Sequence, residues 1–181
     1  MAFTIFVCAG CADEGTVGSS TAGRLEIDPN MVWRGESLEI HAAVAFDPTA
    51  IMREALESGV DLQLEIITRV SRRMGPIALI EEERHHPITI RFLPLTEQWQ
   101  LEVDTVQTNF PRLWLLLEAL QQERSYATGF SREQARGNAW QVQARARFNR
   151  EALPPPMHLP SLISPDWRLA GTWHTWQIDA S

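Results

Sequence analysis

Positions 81 to 86 read Glu-Glu-Glu-Arg-His-His, where carboxylates and imidazoles crowd together. Histidine with carboxylate suits a transition metal or acid–base work. In a strand, however, neighbouring side chains point to opposite faces, so only one of His85 and His86 can share a site with Glu83. Glu83 and His85 would be that pair; a loop would lift the restriction and loosen the geometry. The plainer alternative is a solvated charged loop or sheet edge. We favour it, and expect no bound metal. His41 and His174 fall within alternating segments, where a lone histidine is more often a satisfied surface residue than a catalytic base. The chain has no Gly-x-Ser-x-Gly elbow. Paired carboxylates for glycoside cleavage depend on spatial pairing that a sequence does not reveal. All 16 basic residues are arginine, which excludes a Schiff-base or P-loop lysine.

Cys8 and Cys11 are the two cysteines. A redox Cys-x-x-Cys should open a helix after a strand, but glycine and serine follow here. A zinc site would need two further ligands, and there is no second cysteine pair. An apolar run from Ala2 to Val7, then Ala9-Gly10-Cys11, then a small polar tether is closer to the end of a bacterial lipoprotein signal, with Cys11 the lipidated residue. The apolar run is shorter than the roughly 7–15 residues of a full signal core, and no basic stretch precedes it. A start codon called too far downstream would account for that. Residues 1–24 are therefore read as a truncated export signal with a flexible tether, and 25–181 as one globular domain.

Length and composition fit such a domain: 181 residues, 44% apolar and 22% charged. The net charge of −7 argues against a nucleic-acid surface. No stretch reaches the roughly 18 apolar residues that span a bilayer, so membrane association would come through the N-terminal anchor.

Seven tryptophans stand against one tyrosine. They could line a binding face or fill a core. Trp99 and Trp140 lie on apolar strand faces and Trp114 adjoins a leucine stripe, so core is preferred for these three. Trp173 and Trp176 point to opposite faces of an extended segment.

Alternation at period two predicts strands over Leu38 to Phe46, Leu62 to Val70 and Trp140 to Phe148. A further pair, Ile88 to Phe92 and Trp99 to Val103, forms a hairpin through Pro94. Asp47-Pro48 should cap and open a helix with Ile51, Met52, Ala55 and Leu56 on one stripe, stopped by Gly59. Asn109-Phe110-Pro111 should open a second, with Leu113, Leu116, Leu117 and Leu120 sharing a face. Residues 125–138 read as an edge strand followed by a polar loop. The fold class expected is α+β: an antiparallel β-rich sheet or sandwich with two short covering helices.

The C-terminal part carries Leu153-Pro154-Pro155-Pro156, Leu159-Pro160, Ser164-Pro165-Asp166-Trp167-Arg168-Leu169 and Trp173-His174-Thr175-Trp176. With Ala55-Leu56-Glu57-Ser58-Gly59-Val60 and the strand ending in Arg72-Arg73, it resembles the bacterial family called domain of unknown function 4390. The resemblance covers roughly residues 25 to 178. Two departures are the stunted signal and Gly75-Pro76 with Glu81-Glu82-Glu83-Arg84, where members carry a more basic and aromatic stretch. The resemblance implies an exported, membrane-associated protein, and an accessory to an envelope sensor histidine kinase system.

Within the C-terminal block, Pro165 should hold Ser164 extended, with Asp166 and Arg168 on one side and Trp167 and Leu169 on the apolar other. Such a segment would clamp the chain terminus to a sheet, with partner recognition by Asp166 and Arg168 as the alternative. Pro165, Asp166, Trp167, Arg168, Trp173 and Trp176 are thus the candidate structural or interaction residues. The functional expectation is an extracytoplasmic binding or accessory module, without cofactor or enzymatic activity. The alternatives are a structural envelope component or an enzyme with an unrecognised site.

Overall fold

Alternation at period two becomes two antiparallel sheets in the computed structural model, which describes residues 23–179. The smaller sheet has the order β1-β2-β7, built from β1 (Arg24–Arg34), β2 (Ser37–Asp47) and β7 (Arg124–Ser131). The larger has the order β6-β5-β4-β3-β8-β9. Its strands are β3 (Leu62–Met74), β4 (Ile77–Leu93), β5 (Gln98–Val103), β6 (Val106–Phe110), β8 (Trp140–Phe148) and β9 (His174–Ile178). Inward residues of both sheets form one apolar core, so the α+β expectation holds.

Helices mark the crossings between sheets. The helix α1 (Ala50–Glu57) carries the chain from β2 to β3, and α2 (Leu113–Leu120) returns it from β6 to β7. Both expected helices are present, but their starts differ. Thr49, not Asp47, caps α1, its hydroxyl accepting from the Met52 amide at 3.2 Å. Ile51 turns outward while Met52, Ala55 and Leu56 are buried. Gly59 follows at φ 84°, the left-handed conformation that suits glycine beyond a helix end. In α2, Asn109 and Phe110 belong to β6, and the helix begins only after Pro111 and Arg112. Two more helices, α3 (Arg132–Ala135) and α4 (Pro155–Ile163), lie where sequence reasoning placed loop and turn. In α4, Pro155 and Pro156 occupy the first turn, where a missing N–H costs nothing.

The long β3–β4 hairpin turns at Gly75-Pro76, with Met74 paired to Ile77. Gly75 has φ 61°, as the first central residue of a tight II′ hairpin turn requires. The run from Glu81 to His86 lies inside β4 rather than in a loop: Glu82 to His86 pair in register with Val70 to Ile66 of β3, and Glu81 sits at the bulge between Val70 and Ser71. β7 is the edge strand expected near residue 125, and β1, which carries Pro29 on the opposite edge, precedes the first strand that was legible.

At the C-terminal end the chain runs back along β8. The Phe148 amide donates to the Leu169 carbonyl (2.8 Å) and that of Gly171 to the Ala146 carbonyl (2.9 Å). β9 then pairs with β8, Trp176 opposite Val142 and Ile178 opposite Trp140. The edge of β8 is thereby covered.

Candidate functional site

The outward face of the larger sheet is charged, and its groups are tied together. Glu65 of β3 is buried; Arg147 of β8 donates to it at 2.9 Å and Asn149 at 2.5 Å. His85 stands between two carboxylates, with Nδ1 3.2 Å from Glu65 and Nε2 3.2 Å from Glu83. Arg69 donates to Glu83 at 2.7 Å. That bond holds the Glu83 carboxyl below its ordinary range, against a smaller opposing effect of burial. The sequence-predicted pair Glu83 and His85 is therefore real, and it is joined by Glu65, which sequence reasoning passed over as an ordinary outward strand residue. Both ring nitrogens of His85 face carboxylates, and among the described residues no group of three or more histidines, cysteines or acids is placed to hold a metal. His86 points the other way, as strand alternation demands, with Nε2 3.0 Å from the Ala127 carbonyl and its ring edge-on to Tyr126.

The network continues through Trp173. The guanidinium carbons of Arg69 and Arg145 lie over its ring, 4.6 and 4.3 Å from the centroid, within cation–π range. The Arg145 side chain makes no ion pair and no hydrogen bond among the described residues, and its Nε is buried without a partner. Its pKa is lowered, first by burial and then by repulsion from Arg147 and Arg69.

Beside this face opens a cleft of about 480 Å³ between β8 and the α4 segment. Four arginines line it (Arg145, Arg147, Arg150 and Arg168) with one carboxylate, Glu151. Leu162, Trp167 and Leu169 contribute apolar surface. Arg150 reaches the Ser161 carbonyl at 3.4 Å and Arg168 the Leu162 carbonyl at 2.6 Å. Both thus cap the C-terminal end of α4, where cations offset the helix dipole. His158 of the lining is held at 2.7 Å from the Leu153 carbonyl.

The C-terminal block departs from its expected shape. Residues Pro165–Trp167 form a 3₁₀ turn, not a strand, because the Ser164 hydroxyl accepts from the Asp166 amide and caps it. Asp166 and Arg168 do not pair with each other: Asp166 accepts from Ser164 at 2.8 Å, and Arg168 caps α4. Trp167 is buried, its ring 5.7 Å from Phe148. Trp176 packs against the core from β9, while Trp173 lies just before that strand on the charged face. Trp140 is buried against Phe130, and Trp99 packs at the core edge against Phe92. Trp114 corrects the core expectation, being 62% exposed: it projects from α2 on the side away from Leu116 and Leu120. Cys11 lies outside the described residues.

On the far side of the molecule His41 sits in a similar setting, 3.3 Å from Glu39 and 3.4 Å from Glu123, with Ser125 donating to Glu39. No helix among the described residues is long and apolar enough to cross a membrane. No curated protein and no solved structure matches the chain. The model of one family does, over residues 27–177: the chain belongs to the family described as Domain of unknown function (DUF4390).

Proposed function

We propose that the protein is an extracytoplasmic binding module, an accessory to an envelope partner such as a sensor histidine kinase system, and that it acts through the cleft beside β8. The observation that carries this reading is Arg145, a partly desolvated cation at the edge of an open cleft that has the Trp173 ring but no ion-pair or hydrogen-bond partner for its guanidinium. An uncompensated charge costs stability unless a bound anion answers it. The histidines nearby are already engaged, His85 by two carboxylates and His158 by a carbonyl, which favours recognition over proton transfer. Leu159, Leu162 and Ile163 of α4 are exposed next to the cleft, and exposed apolar clusters of this kind mark contact surfaces.

The test is fractionation of native cells with mass spectrometry of the N-terminus, followed by capture of partners from envelope extract. The chain is expected in the envelope fraction, and should recover a sensor-system protein that Arg145→Glu fails to recover. A cytosolic chain retaining an unmodified Met1, or capture indifferent to Arg145→Glu, overturns the reading.

A further inference from the structure

We infer that the cleft is a recognition site for an extended acidic peptide segment that alternates carboxylate and apolar side chains. This rests on the binding-module reading and names what that module holds. Arg145 and Arg147 occupy alternate positions of β8, so their side chains leave the same face about 7 Å apart along the strand. An extended ligand presents every second side chain at the same interval. Across β3, Arg69 pairs in register with Gln143 and extends the row of guanidiniums.

The charges of this row are unequally answered. Arg69 has Glu83 and Arg147 has Glu65, but Arg145 has only the Trp173 ring. Arg150 and Arg168 each donate to one α4 carbonyl and carry further N–H groups, since a guanidinium has five donors. Among the lining residues the arginines exceed the carboxylates by four to one. The protein is acidic overall, so the cationic character is local to the cleft.

Carboxylates match this surface because a guanidinium fork takes both oxygens of one carboxylate. Leu162, Trp167 and Leu169 add apolar surface to the same cleft, which a bare anion would leave uncovered. The space is near the lower end of ligand sites, which run from about 300 to 1,000 Å³. A few peptide residues fill such a volume. Because β8 is paired on both sides, the ligand lies across the sheet face and adds no strand.

The experiment measures fluorescence anisotropy of a labelled Leu-Glu-Leu-Glu-Leu peptide, with Leu-Gln-Leu-Gln-Leu, inorganic phosphate and phosphatidylglycerol vesicles as parallel probes. The acidic peptide should bind more tightly as salt is lowered, and the glutamine peptide should not bind. Arg145→Gln should weaken binding at least about tenfold while the melting temperature holds or rises, because an unpaired cation has been removed. Equal binding by Arg145→Gln, or binding of phosphate or vesicles in place of the peptide, overturns the ligand class. A marked fall in melting temperature with Arg145→Gln makes Arg145 a structural residue and overturns it too. If the peptide fails while envelope capture still depends on Arg145, the ligand class falls and the binding-module reading stands.

Discussion

The inward residues of β8, Trp140, Val142, Ala144, Ala146 and Phe148, are all buried, whereas outward Gln141, Gln143, Arg145, Arg147 and Asn149 are each partly exposed. The two sets interleave along ten residues, from Trp140 to Asn149 just beyond the strand. The inward set needs only shape and apolar area, since the opposite sheet supplies matching side chains. The outward set needs partners, because every polar group there must be hydrogen-bonded or wetted. Glu65 joins three neighbours into a network, and the Arg145 side chain, two residues from Arg147, has no hydrogen-bond or ion-pair partner and rests on the Trp173 ring alone. A face built for stability alone would not keep that inequality.

The largest effects should come from the inward side. Trp140→Ala removes a buried ring that packs 4.8 Å from Phe130 and should cost about 3–5 kcal/mol in chemical denaturation. Trp140→Phe should cost much less, since the indole N–H is buried without a partner and is lost with little penalty. A flat response to Trp140→Ala would mean that the sheet does not rely on this strand. Trp167→Ala comes next, at about 3 kcal/mol, for the ring that seats the 3₁₀ turn on Phe148. Unchanged stability with lost capture of the envelope partner would instead make the turn a recognition element.

That turn shows where sequence reading ends. β2, β3 and β8 were legible because a single face of each is apolar, and α1 and α2 because leucines and methionine recur at helical spacing. β1 alternates too, but Pro29 breaks the pattern of backbone donors, and only an edge position accommodates it. In the 164–169 block, alternation suggested a strand, yet the Ser164 hydroxyl competes for the backbone and closes a tight turn. α4 was hidden by its prolines: Pro155 and Pro156 are unremarkable in a first turn, but Pro160 lies inside the helix, where a proline removes a backbone donor and argues against one. On the charged face, Glu83 and His85 could be paired by strand spacing. Glu65 and Arg147 could not, since the link between β3, β4 and β8 is set by register across three strands.

On the outward side, Glu65→Ala should cost about 2 kcal/mol, below the ~3–5 kcal/mol of a fully buried pair, because Arg147 can regain water. Glu65→Gln should recover part of this by keeping the bond from Asn149. A cost near zero would reduce the network to surface decoration. A smaller, pH-dependent effect belongs to His86, whose pKa is lowered from 6.5 mainly by burial, with the Ala127 carbonyl opposing. The unfolded chain then takes up the proton first. The stabilisation is complete above pH 6.5 and fades as pH falls from there through the lower folded value. His86→Gln should flatten stability against pH on the acid side of 6.5, and an unaltered slope would assign that loss to other groups.

The smallest effect should come from Glu39, whose cluster with His41 and Glu123 is the counterpart of Glu65, His85 and Glu83. Ser125 donates to Glu39, and this bond is the main reason its carboxyl titrates below the ordinary 4.5. Its other partners are long or solvated: His41 at 3.3 Å, and Arg34 at 3.5 Å with 72% of its side chain exposed. Removing the carboxylate leaves groups that water can reach, so Glu39→Ala should cost less than about 1 kcal/mol at neutral pH. Because the folded pKa is depressed, even that contribution is present above pH 4.5 and disappears as pH falls through the lowered value. Parallel denaturation of Glu39→Ala and Glu65→Ala at pH 7 and at pH 3 measures both claims. If the two cost the same at pH 7, burial and the arginine network do not distinguish the clusters, and the case for the β8 face as the specialised one loses its energetic support.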